Sequence, residues 1–191
     1  MGCVHAEEVA RPAKTLRLFG DFSHDNGRSG CNENLALIDV VVLEPGFVGA
    51  RAIWNMERVR RVLLTRASAA AIGMAALGGA FRHIEADDPI GLDLVLGGPE
   101  VGMCVRVPIA PGSIVPVALS SVEERAIGES VVVRGPCLIA LDGERDVAIP
   151  AGNTVSVSLC RDGPSVVSVD RCLHLAAERG FFKGETPWRR T

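Results

Sequence analysis

Along this chain the apolar positions fall into short β-branched runs parted by Gly- and Pro-bearing turns, and beyond residue 90 that rhythm is nearly unbroken. Leu92 to Leu96, Met103 to Ala110, Ile114 to Leu119, Ser130 to Arg134, Cys137 to Leu141, Val147 to Ile149, Thr154 to Cys160 and Ser165 to Val169 read as strands. Such spacing is what antiparallel sheets folded over each other produce. Thr154 to Cys160 alternates, with Val155, Val157 and Leu159 on one face and Thr154, Ser156, Ser158 and Cys160 on the other, so one face is buried. Ile38 to Leu43 is near-continuous instead, as in a strand covered on both faces, and Asp39 interrupts it. A carboxylate there sits at the edge of the buried part or has a partner. Arg51, inside an expected strand Phe47 to Trp54, is a candidate partner.

The first half carries fewer strands. Thr15 to Phe19 reads as one, Gly20 to Glu33 as a loop, and Arg58 to Thr65 as a short helical turn feeding a strand. Ser68 to Phe81 has one polar residue, its first, and is otherwise Ala, Gly and larger apolar residues, which predicts a helix buried all round and stopped at Gly78-Gly79. Thr65 or Ser68 would cap its start beside Arg66, making that end a candidate anion site, or simply a capped core helix. Arg171 to Arg179 reads as a short amphipathic helix ended by Gly180. The expected fold is mainly β: stacked antiparallel sheets with a buried Ala/Gly-rich helix and a short C-terminal helix. Residues 1–13 read as a flexible arm, 14–182 as the β-rich domain and 183–191 as a tail.

The most specific local signal is Asp142-Gly143 between Cys137 to Leu141 and Val147 to Ile149, because a type I′ hairpin turn needs the positive φ that Gly tolerates. The tip gathers Asp142, Glu144, Arg145 and Asp146. Turn tips are commonly charged because water surrounds them, yet a rigid turn bearing carboxylates and a guanidinium also suits a metal, a ribose or a phosphate.

Composition narrows the function. The chain has 191 residues, enough for a real core, with 48% hydrophobic residues but only 4% aromatic and no Tyr, so Val, Leu, Ile and Ala must fill the interior. A net charge of −3 without a Lys/Arg block argues against nucleic acid as a partner. No run is long and apolar enough to span a bilayer as a helix, and Met1 to Ala13 lacks the apolar stretch of a signal peptide, so a cytoplasmic protein without membrane contact is expected. The cysteines at 3, 31, 104, 137, 160 and 172 are scattered, without C-x-x-C or zinc-finger spacing, and read as reduced thiols. Asp21, His24 and Cys31 could be drawn as metal ligands, but a Gly-rich loop has no rigid element to fix them. His83 and His174 stand in no catalytic motif.

Several segments in this order resemble a known family: Leu35 to Val42, Phe47 to Ala52, Leu64-Thr65-Arg66-Ala67 with Ala71-Ile72-Gly73, Pro108 to Gly112, and Ile139 to Arg145. They are similar to the C-terminal half of the acetoin-catabolism X proteins, members of the NAD kinase-like superfamily, over residues 14 to 182. The resemblance implies a β-rich domain on the dinucleotide or acceptor side of a two-domain protein, whose other domain carries Gly-Gly-Asp-Gly. Where NAD kinases end the matching strand in Asn-Glu, this chain has Ile38-Asp39; where they have a Thr-, Gly-, Ser- and Tyr-containing loop, it keeps Thr65 and Ser68. The Asp-Gly-Glu turn, shared with related lipid kinases, would face the cleft through Asp142, Gly143 and Glu144. The implied nucleotide-binding set is therefore Asp39, Thr65, Arg66, Ser68, Asp142, Gly143 and Glu144, with no catalytic residue and no metal ligand. NAD or a related nucleotide is the implied ligand, while ATP and magnesium would need the absent domain. Homo-oligomers and a separately encoded ATP-binding domain are the implied partners, and without that domain no phosphoryl transfer is expected. A binding or assembly module that has lost kinase chemistry is the alternative.

Overall fold

The computed structural model describes residues 4–23, 29–46, 55–97 and 102–183. They form two units: Lys14–Gly163, and a second made from the two ends, through Ala13 and from Pro164. In the second, a helical turn α1 (Ala6–Val9) leads into strand β1 (Ala10–Pro12), which pairs with the late strand Ser165–Val167. The helix Val169–Glu178 follows, capped by Ser168, whose hydroxyl accepts the Arg171 N–H at 3.3 Å. Residues 6–12 thus replace the expected flexible arm with ordered structure, because strand pairing and an Arg179–Glu8 ion pair satisfy their polar groups.

The larger unit is mainly β, as expected, and its layers are one 11-stranded antiparallel sheet. In chain order its strands are β2 (Thr15–Ser23), β3 (Ser29–Ala36), β4 (Asp39–Leu43), β5 (Val59–Leu64), β6 (Ile90–Leu96), β7 (Met103–Ala110), β8 (Ser113–Ala126), β9 (Ser130–Arg134), β10 (Cys137–Leu141), β11 (Arg145–Ile149) and β12 (Thr154–Cys160). Their order in space is β7-β8-β6-β5-β4-β10-β11-β2-β12-β9, with β3 joined to β2. The middle of the sheet is covered on both sides. Val40 and Val42 enter a cluster with Leu18, Ile139 and Val157, while Val41 and Leu43 enter another with Leu77, Leu94 and Leu119. This is the physical content of the unalternated run at 40–43. Among the described residues no helix is long and apolar enough to cross a membrane.

Two local expectations are corrected. Gly20 to Glu33 is not all loop: β2 continues to Ser23 and β3 begins at Ser29, in the register Asp21 with Cys31. Pairing of the two backbones overrides the turn-forming composition. His24, and the expected strand Phe47 to Trp54 with Arg51, lie outside the described residues. The helix predicted from Ser68 to Phe81 is only α2, Met74–Gly79. Gly73 stands before it at φ 84°, and Ser68 to Gly73 folds back, with the Ser68 N–H on the Ala75 carbonyl at 3.0 Å. A Cβ on Gly79 would lie 2.1 Å from the Ser68 carbonyl carbon, so these small residues serve a backbone packed against its own preceding segment.

Candidate functional site

Strand β4 begins at Asp39, immediately after a tight turn at Leu37-Ile38, and this turn is held from two sides. From just past the end of β5, the buried Thr65 hydroxyl donates to the carbonyls of Leu37 (2.7 Å) and Ile38 (3.3 Å). From the hairpin, the Asp142 carboxylate accepts the N–H groups of Leu37 (2.8 and 3.0 Å), Ile38 (2.7 Å) and Asp39 (3.2 Å). Asp142 (φ 53°) and Gly143 (φ 66°) both have the positive φ of a type I′ turn, and the Glu144 N–H closes on Leu141 at 3.1 Å. Arg145 steadies the arrangement by donating to Asn34 Oδ1 (2.7 Å) and the Leu35 carbonyl (2.6 Å).

Beside that turn opens a cleft of about 590 Å³, whose polar lining is Asp39, Arg66, Ser68, His83 and Glu85, with Ile72 and Met74 among its apolar wall. Its floor is the pairing of Ala67 with Ile84, N–H to carbonyl at 3.1 and 2.8 Å. The Arg66 side chain is exposed and, among the described residues, has no ion-pair or hydrogen-bond partner. Ser68 Oγ accepts the Ala70 N–H at 3.2 Å, and His83 Nε2 lies 2.5 Å from Glu85 Oε1.

Of the residues singled out from sequence, the fold brings Asp39, Arg66 and Ser68 to the cleft. Thr65, Asp142, Gly143 and Glu144 stand outside its lining among the described residues, and the first two are engaged with the Leu37-Ile38 backbone. The expected anion site at a helix start beside Ser68 is overturned, since α2 begins after Gly73 and is only 6 residues long. His83 and Glu85 escape sequence reasoning because only the Ala67–Ile84 pairing carries them there.

Asp39 is half-buried and, among the described residues, has no cation within ion-pair reach. Burial, and then the Asp142 charge, push its pKa up to about 6. A carboxyl with a folded pKa above its unfolded value destabilises the fold at neutral pH, and this cost fades as pH falls from about 6 to 3.8. Asp39→Asn should therefore raise stability at neutral pH by on the order of 2 kcal/mol. The gain should vanish near pH 4, as thermal melts at the two pH values would record; an equal gain at both would refute it.

A mainly β domain with an acidic turn fastened beside a mixed polar and apolar cleft is the class that fold and site define. The chain belongs to the family described as acetoin catabolism protein X C-terminal domain, whose model matches residues 24–162. It is 30% identical over 162 residues to the acetoin catabolism protein X of Cupriavidus necator, covering 83% of this chain and 45% of that protein. The chain thus spans a little under half the length of that relative. A crystal structure of yeast NADH kinase complexed with NADH aligns with a TM-score of 0.47 at 12% identity, over 94% of this chain and 50% of that one.

Proposed function

We propose that this chain is the acceptor-side half of an acetoin-catabolism-X-type protein, and that its cleft forms one wall of a site for NAD or a related nucleotide. The observation that carries this reading is the cleft itself: a guanidinium and a carboxylate, neither with an ion-pair partner among the described residues, share one opening of nucleoside size with an apolar wall. Arg66 suits a phosphate, Asp39 a ribose hydroxyl or an amide, and Ile72 with Met74 a base face. A phosphate cradle and metal ligands would come with an α/β domain bearing Gly-Gly-Asp-Gly, so these residues by themselves transfer no phosphoryl group.

Calorimetry of the purified chain with NAD, NADP and ATP tests this. We expect millimolar or tighter binding of NAD or NADP, weakened about tenfold by Arg66→Ala, the worth of one charge-assisted contact. Incubation with ATP, magnesium and NAD should yield no NADP. A second reading is favoured by the engagement of Thr65 and Asp142 in backbone contacts: an assembly module that forms homo-oligomers and binds no nucleotide. A stable oligomer in ultracentrifugation without any nucleotide heat would select it.

A further inference from the structure

Residues 83–86 form one wall of the cleft, and the irregular segment they open, which runs to β6 at Ile90, has an unusual way of satisfying its backbone. On its inner side Ile84 pairs with Ala67. On its outer side two cations replace a neighbouring strand. Lys14, at the foot of β2 and 3% exposed, donates from Nζ to the carbonyls of Glu85 (2.9 Å) and Ile90 (2.7 Å). Arg161, just past β12, donates to those of Ala86 (3.3 Å), Asp87 (3.0 Å) and Asp88 (2.7 Å). The remaining carbonyl, of Pro89, accepts the Ile127 N–H at 3.1 Å. Every carbonyl from 85 to 90 is thus taken, most of them by side chains that lie outside the cleft.

We propose that Lys14 and Arg161 are positioning residues for the cleft: by fastening the backbone of 85–90 they fix where His83 and Glu85 stand on its rim. The proposal rests on the cleft being a nucleotide site, and says what sets its geometry. The two cations hold only backbone carbonyls of the segment, whereas Ile84 is anchored separately in the core cluster with Leu77 and Leu92, so loosening residues 85–89 is expected to be a local opening and not an unfolding of the sheet. The segment's own charges match the arrangement, since the negative charges of Asp88, Asp87 and Glu85 favour the ammonium form of Lys14. Burial first, and the Arg161 charge second, lower the Lys14 pKa to about 8, opposed by Asp88, Asp87 and Glu85. A neutral amine still has donors for both carbonyls, so the fastening persists across that pH.

The test compares the chain with its Arg161→Gln, Arg161→Lys and Lys14→Met variants. Cleavage at Glu85-Ala86 by a Glu-specific protease under native conditions should rise about tenfold in Arg161→Gln and Lys14→Met, because it reports local opening. The His83 ring resonances should shift in both, as Glu85 leaves its place. NAD affinity should fall roughly fivefold while the main unfolding midpoint moves only slightly, with Arg161→Lys intermediate. Unchanged cleavage and unchanged His83 resonances would overturn the proposal, as would a loosened segment with NAD affinity intact. If the unmodified chain binds no nucleotide, the reading of the cleft fails, while protease and His83 signals still decide whether the cations place the rim.

Discussion

Alanine at Asp93 should lower the unfolding midpoint of this protein by about 10 °C, the product of roughly 3–5 kcal/mol and the 2–4 °C per kcal/mol usual at this size. Asp93 is 1% exposed in the middle of β6 and is the shared acceptor of two guanidinium groups. Arg61 from β5 reaches it with Nε and Nη2 at 2.6 and 2.7 Å, and Arg125 from β8 at 3.1 and 2.9 Å. Removing the carboxylate leaves two cations on the strands either side of β6 with no shared anion between them, only about a quarter exposed, with Glu123 balancing Arg125 alone. Water can relieve part of this, which keeps the expectation at the lower end of the range for broken buried pairs. A double-mutant cycle isolates the effect: in an Arg125→Gln background, the same Asp93→Ala change should cost markedly less. A loss below about 1 kcal/mol in the single variant would mean that the triad is screened by solvent and holds nothing.

The second large effect is expected at Asp142, where alanine and asparagine should part company. Alanine removes an acceptor of three backbone N–H groups and places a Cβ residue without a compensating side chain at φ 53°. Together these should cost about 3–4 kcal/mol, read from urea midpoints with an unchanged m-value. Asparagine tolerates that backbone conformation and keeps one acceptor oxygen, so its loss should be about half as large. It also removes the like charge beside Asp39. The Asp39 pKa should then fall below about 6 while staying above 3.8, because burial is the larger cause, and carboxyl carbon titration by NMR would follow it. If Asp142→Asn instead leaves stability untouched and abolishes NAD binding, Asp142 contacts the ligand directly, as its turn-tip sequence suggests, and the backbone clamp is secondary.

What the chain determines locally can be read from its residues. β7 and β12 run over the bounds that alternation and turn residues predict, and Asp142-Gly143 makes the hairpin its chemistry demands. The continuous run at 40–43 correctly announces a strand buried on both faces, and Asp39 lies at its first position, the edge of the buried part. The family likeness, too, is carried by ordered segments and needs no coordinates.

What tertiary structure decided are the partners. Helix propensity through Ser68 to Phe81 loses to the packing of Gly79 on the Ser68 backbone, which shortens α2 and removes the expected anion site. Asp142 looks outward in sequence, yet its acceptors meet the Leu37 N–H from 105 positions away. Asp93 could have been flagged by the same rule that flagged Asp39, a carboxylate within an apolar run, but nothing local joins it to Arg61 and Arg125. Likewise, no motif leads from Lys14 or Arg161 to the carbonyls of 85–90. Periodicity and turn chemistry depend on residues a few positions apart, so sequence alone specified strands, hairpin and fold class. The cleft and the fate of each buried charge depend on which distant backbone arrives beside them, and only the folded sheet settles that.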